Sequence, residues 1–203
     1  MVGRIVFVLV KLFGEYFMQK DEQKEMVKYF YKRTREHIER VCKYIDIIYK
    51  SDPKKYYLLP ARKKTHDQSK YRKPELEPYI YLTWRYYCNE NNRKFETNKS
   101  LESQIQLATY HHCKNCSHHP EFHDDTTTIN SINPKDRDKP PERMVNATGM
   151  TETDVAEMCA DWMSMSKEKG SNPNDWARQN INKRWLFTKQ QVMQIYGLLK
   201  LYK

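Results

Sequence analysis

Glycine is scarce in this chain, at 5 of 203 residues, and tyrosine is abundant at 15. Few glycines and many long side chains favour helices over a turn-rich β-sandwich. Long apolar runs are missing as well. Ile5–Val10 is a run of six, and Lys11 and Glu15 interrupt the residues after it. That is too short for a membrane span and weak as a signal peptide. Residues 1–20 therefore read as an N-terminal extension or packing segment, with a peripheral membrane anchor as the alternative. Residues 21–203 read as one helical domain. The 5 cysteines are odd in number and have no framework spacing, which argues against a disulfide scaffold and for reduced thiols in a cytoplasmic compartment. Asn98, Asn115 and Asn146 lie in N-x-S/T sequons that matter only on a secretory route. No internal repeat, low-complexity tract or nucleic-acid reader motif is present.

What the chain does have is positive charge. Its 36 Lys+Arg face 26 Asp+Glu, a formal +10, with 38% apolar and 31% charged residues overall. The excess is spread along the chain and is densest in "RKKTHDQSKYRK". It points either to a solvated surface or to an anionic partner, nucleic acid or a small phosphorylated molecule.

Apolar residues at spacings of three and four predict a helix over 21–50, with Met26, Phe30, Ile38, Val41, Tyr44, Ile45 and Ile48 on one face. His37 falls on that face. A basic connector then runs to Lys64. Further helices are expected over about 75–88, 101–114, 152–167 and 188–201. In the second of these, His112 projects onto the centre of the stripe formed by Leu101, Ile105 and Ala108, and His111 to its side. Thr151 and Asp154 form a capping-box start, and Asp161 lies at the edge of the apolar face of the helix they open. Residues 124–149, with Pro134, Pro140 and Pro141, read as a loop, either mobile or folded over a site. Six or seven helices and no strand hairpin make an all-α domain.

Five of the 7 histidines crowd into "ATYHHCKNCSHHPEFHDD". One reading is a compact zinc knuckle: Cys113 and Cys116 have the spacing of half a structural site, and His118, His119 or His123 would complete it. However, no second CxxC exists, all ligands would lie within one short loop, and the two cysteines could equally be packing residues. The other reading is a distributed site. His37 on an apolar helix face, the pair His66–Asp67, His112, the pair His118–His119 and Asp161 occur in the order H…HD…H…HH…D on separate helices. Imidazole with carboxylate suits divalent ions, and several ionisable groups facing one interior need a common reason. On this reading the cysteines are incidental and His123 is a bystander.

The order H…HD…D resembles the HD superfamily of metal-dependent phosphohydrolases, which are all-helical, and the extra histidines resemble its two-metal branch. "HDQSK" is similar to the HD-x-G-K motif of cyclic-dinucleotide phosphodiesterases in that superfamily, with serine in place of glycine. "HDQSK", "PELEPY", "HHCKNCSHHPE" and "EMCADW" together resemble, over residues 34–185, a small uncharacterised family of bacterial and viral proteins. The resemblance implies an HD-like fold and a phosphomonoesterase or phosphodiesterase acting on a nucleotide or other small phosphorylated substrate. It implies one or two divalent ions (Mn, Fe, Zn, Ni or Mg). His37, His66, Asp67 and Asp161 would hold the first. Asp67 would bridge to a second held by His112 and one of His118 or His119. Lys70 would neutralise charge on the phosphoryl group, and Glu121 or Glu157 would orient ligating histidines. Lys183, beside Arg184 in "NKRWLF", is a further candidate for phosphate, against an ordinary solvated helix end. The superfamily also contains a di-iron oxygenase that acts on inositol, which supplies another reading of the same residues. The sequence leaves the oligomeric state open.

A different class of function, nucleic-acid or partner binding on an HD-like scaffold with a structural metal, is suggested by the +10 charge. Binding to arbitrary DNA or RNA that falls with salt and persists in Asp67→Ala is its expected signature; no binding at moderate salt removes it.

Overall fold

One helix organises the chain. α1 (Lys20–Ser51) runs for 32 residues and buries Met26, Val27, Phe30, Val41, Tyr44, Ile45 and Ile48 along one stripe. Two polar residues, Thr34 and His37, interrupt that stripe and are buried too. The computed structural model describes residues 20–132 and 143–203. The N-terminal packing segment expected over residues 1–20 and the proline-rich part of the expected loop lie essentially outside the described residues.

After α1 come α2 (Leu59–Arg62), α3 (Leu76–Glu90), α4 (Lys99–Asn115), α5 (Glu152–Lys169), α6 (Pro173–Asn180) and α7 (Lys189–Leu199). Short 3-10 turns lie at Gln68–Tyr71, Pro120–His123 and Ile129–Ser131. The described strands are β1 (Val145–Asn146) and β2 (Trp185–Leu186), two residues each, paired in parallel. The domain is all-α, as its composition predicts. No described helix is long and apolar enough to cross a membrane.

α1 packs against both α5 and α3, and two apolar clusters result. One gathers the C-terminal half of α1 with Val155, Met158, Cys159 and Met163 of α5 and Ile195, Leu198 and Leu199 of α7. The other gathers Met26, Val27 and Phe30 with Ile80, Leu82 and Trp84 of α3 and Leu101 and Ile105 of α4. Thr34 and His37 fall on α1 between them. α5 carries a matching polar line, Asp154, Glu157, Asp161 and Ser164, at helical spacing beside its apolar face. The site is thus a polar layer between two apolar cores.

The helix ends obey local chemistry. Asn98 caps α4 by accepting from Leu101 N (2.8 Å). Thr151 and Asp154 form the expected capping box on α5, and Gly170 closes that helix at φ +62°, where a side chain would be strained. One expectation changes: the connector before Lys64 contains α2. After Gly170, "SNPND" opens α6: the Asn172 side chain accepts from Asn174 N, and Pro173 sits where its missing N–H costs nothing. The described ends of the 124–149 loop are tethered. Asp124 accepts from Asn146 N (2.8 Å) and Thr126 N (2.9 Å), and Val145 and Asn146 pair with β2.

Ile45 is fully buried where α1 meets the α5 cluster. Ile45→Ala is expected to cost about 2–5 kcal/mol of unfolding free energy, read as a lower urea midpoint with an unchanged slope. A loss under about 0.5 kcal/mol, the size of a surface change, contradicts this packing.

Candidate metal centre

Asp67 stands at φ 58°, the left-handed region, at the entry to the 3-10 turn Gln68–Tyr71. That conformation costs an ordinary L-residue about 1–2 kcal/mol, and Asp tolerates it better than most. Its carboxylate is buried in the polar layer and divides between two groups of imidazoles. On the Oδ2 side lie His37 Nε2 at 3.1 Å, His66 Nε2 at 3.8 Å and the Lys70 ammonium at 2.5 Å. On the Oδ1 side lie His112 Nε2 at 3.3 Å and His118 Nε2 at 3.8 Å. Asp161 Oδ1 meets His37 Nε2 at 3.2 Å. α1, α4, α5 and the segments after α2 and α4 each contribute.

A second ring of groups holds the far edges of these rings. Glu157 Oε1 accepts from His66 Nδ1 (2.9 Å) and lies 3.3 Å from His118 Nδ1. Glu75 accepts from His112 Nδ1 (2.9 Å) through Oε2 and from His111 Nδ1 (2.7 Å) through Oε1. Ser69 Oγ donates to Glu75 Oε2 (2.9 Å), and Ser164 Oγ lies 3.3 Å from His37 Nδ1. An ionised carboxylate only accepts, so Nδ1 of His66 and of His112 carries a proton, and in the neutral ring the Nε2 lone pair faces inward. Arg62 in turn meets Asp154 Oδ1 at 2.9 Å and Glu157 Oε2 at 3.6 Å.

The inward atoms are short of partners. His66 Nε2, His112 Nε2, His118 Nε2 and Asp67 Oδ1 are all buried without a hydrogen bond. Each buried polar group left so costs about 1–3 kcal/mol, and four of them weigh heavily against a domain's net stability of about 5–15 kcal/mol. His112 Nε2 and Asp67 Oδ1 lie 3.3 Å apart: an ion pair while His112 is protonated, and two electron-rich atoms facing one another once that proton leaves. A cation between such atoms removes the cost. The donor set, imidazole nitrogens and carboxylate oxygens with Nδ1 atoms held by carboxylates, is that of a first-row divalent ion. Ligand-type atoms of His37, His66 and Asp161 lie within 4.8 Å of one another, as do those of His112, His118 and His119. His66, His118 and Glu157 also fall within that distance, but their contacts include the Nδ1 atoms already bonded to Glu157, so we read Glu157 as the group that orients the two rings. The residues fit a divalent metal.

Charge acts in the same direction. Burial opposes ionisation of Asp67, yet the Lys70 ammonium, His66, His112 and His37 hold its carboxyl well below the ordinary range. Asp161 is likewise lowered against burial, chiefly by His37. Burial raises Glu157, but His118 and His66 outweigh it and bring it down to about 2. His118 is lowered, by burial first and then by the neighbouring His66 ring. Burial and Lys70 depress His112, yet Asp67, Cys116 and Glu75 raise it well above the usual imidazole range.

The structure thus brings together His37, His66, Asp67, Lys70, His112, His118, His119 and Asp161. Of each histidine pair, His112 rather than His111 faces Asp67, while His111 is turned to Glu75 and partly exposed. His118 faces Asp67, and His119 stands beside both His112 and His118, with ring centroids 4.8 and 4.4 Å away. Glu157 bonds His66 Nδ1 and lies against His118 Nδ1. Glu121 instead accepts from Trp185 Nε1 (2.9 Å) and lies with Cys113 and His119. Lys183 is exposed, and its ammonium makes no ion pair or hydrogen bond among the described residues. The knuckle of two cysteines is not assembled: Cys113 groups with His119 and Glu121, whereas Cys116 Sγ lies 3.6 Å from His112 Nδ1 and 3.9 Å from Ser69 Oγ. His123 Nε2 bonds Ser117 O at 2.8 Å, away from Asp67. Asn115 closes its helix by donating to His111 O (2.7 Å). Glu75, Arg62 and Asp154 were not expected at this centre. Glu75 lies in "PELEPY", just after a proline and at a helix start, and nothing local to it marks it as facing histidines.

The model of a family of unknown function, DUF5662, matches residues 26–199, and the chain belongs to that family. No curated protein and no solved structure matches the chain.

Metal binding at this centre is expected to release a proton near neutral pH. His112 is held protonated above its ordinary range, and a ligand must be neutral. Affinity should therefore rise as pH rises through and above neutrality. Calorimetric titration with Zn²⁺ in two buffers of different ionisation enthalpy reads the released proton; identical heats in both contradict it.

Proposed function

We propose that this chain is a divalent-metal-dependent phosphohydrolase acting on a small phosphorylated substrate such as a nucleotide. The observation that carries the reading is the gathering of three bare Nε2 atoms and Asp67 Oδ1 around one buried carboxylate, with a lysine ammonium beside the same carboxylate. The ordered H…HDxSK…HH…HH…D residues and their resemblance to HD phosphohydrolases support it.

A divalent ion bound here supplies Lewis acidity and lowers the pKa of a coordinated water. The chain's own residues do the rest. Glu75 and Glu157 keep the His112, His66 and His118 rings aimed inward by holding their Nδ1 edges. Lys70 and Asp161 keep 18% and 19% of their side-chain surface exposed, while Asp67 keeps 2%. The polar layer is therefore open to solvent at a lysine and an aspartate, and a phosphate would enter there. Burial favours the neutral amine of Lys70, but Asp67 outweighs burial and raises its pKa, so it stays an ammonium. That fixed positive charge can bind a phosphoryl oxygen and stabilise charge that develops on it.

The test is a panel of nucleotides and generic phosphodiesters, assayed with Mn²⁺, Fe²⁺, Ni²⁺ and Mg²⁺. Phosphate ester cleavage by the wild type, stopped by a chelator and reduced about 10²-fold or more in Asp67→Asn, is expected. A protein that holds stoichiometric ion yet cleaves no member of the panel contradicts the reading.

A further inference from the structure

The two sides of Asp67 are not equivalent. On the Oδ1 side every inward atom is bare: Oδ1 itself, His112 Nε2 and His118 Nε2. On the Oδ2 side the carboxylate oxygen is already engaged. Lys70 Nζ lies 2.5 Å from it and His37 Nε2 3.1 Å, and only His66 Nε2 is without a partner there. Lys70 reaches this position because the 3-10 turn begun by left-handed Asp67 folds the chain back within three residues. Its side chain is held over the Tyr79 ring, with Nζ 5.5 Å from the centroid, and Tyr79 stands edge-on to His112 at 5.7 Å. An ammonium in contact with Oδ2 and a divalent ion coordinated by the same oxygen repel one another and compete for its lone pairs.

We infer that the Lys70 ammonium is a built-in cation on the His37–His66–Asp161 side of Asp67, so that the chain binds one ion tightly on the His112–His118 side and a second only by displacing Lys70. This rests on the metal-centre reading above and adds stoichiometry and order to it. The coupling is reciprocal. An ion on the Oδ2 side expels Lys70 toward solvent, where its ammonium becomes free for an anion. Conversely, an anion that draws Lys70 outward makes room for the second ion. Phosphate binding and second-ion binding therefore reinforce one another at this lysine.

The experiment is calorimetric and electron-paramagnetic titration of the full chain with Mn²⁺ alone, read as stoichiometry and affinity rather than turnover. Wild type is expected to bind one ion tightly and a second at least about tenfold more weakly, within the ordinary range of site coupling. Lys70→Met, which keeps the bulk and removes the charge, should tighten the second event about tenfold and leave the first nearly unchanged. Lys70→Arg keeps the charge and should keep the gap, so a folding defect in one variant does not decide the matter. Inorganic phosphate added to wild type should tighten the second event but have little effect in Lys70→Met. Two equal sites in wild type, or a Lys70→Met protein with the wild-type gap, overturn the role of Lys70 and leave the metal centre standing. No ion bound by any variant overturns both.

Discussion

The polar layer depends on one constraint: a single buried carboxylate, Asp67, must satisfy two groups of imidazoles at once. Its two oxygens face opposite ways, Oδ2 to His37 and His66 and Oδ1 to His112 and His118. Those rings arrive from α1, α4 and the connecting segments, so the carboxylate ties together parts of the chain that lie far apart in sequence. The left-handed backbone at Asp67 is the local cost of aiming it, and it is sustained because the surrounding structure fixes the residue on every side.

A buried charge layer between two apolar cores is costly unless each group has a counterpart. The outer groups have theirs: Glu75 and Glu157 each serve two histidines, and Arg62 joins Asp154 to Glu157. Four inward atoms, His66 Nε2, His112 Nε2, His118 Nε2 and Asp67 Oδ1, lack a hydrogen bond and gather around one carboxylate. Such a concentration of bare nitrogen and oxygen donors suits a bound cation better than an ordinary buried ion network. It also explains why α5 sets buried apolar side chains for the cores beside buried Asp154, Glu157 and Ser164 and half-buried Asp161 for the layer.

Much of this was legible in the sequence, for reasons that can be named. His37 and His112 were visible because a histidine on an apolar helical stripe must be buried, and helical periodicity is local. Asp161 at the edge of a stripe was visible for the same reason, and it is indeed half-buried against His37. The choice of His118 over His119 as the ring facing Asp67 was not legible, because it depends on the turn after Cys116 and not on a helix face. Glu75 was read only as part of a helix start, because nothing local says that α4 will place two histidines against it. Lys183 was read as a candidate for phosphate, against an ordinary solvated helix end, and it is exposed in the structure. Lys70 was read as a phosphate ligand from motif resemblance; that its ammonium rests on Asp67 Oδ2 is a tertiary fact no spacing could reveal.

The central claim is that an ion belongs between His112, His118 and Asp67. Crystals of the full chain grown with Zn²⁺ or Mn²⁺ and measured at the absorption edge of the metal test it directly. The account predicts an anomalous peak about 2.0–2.2 Å from His112 Nε2, His118 Nε2 and Asp67 Oδ1. No peak there, or a peak only among Cys113, His119 and Glu121, would contradict it.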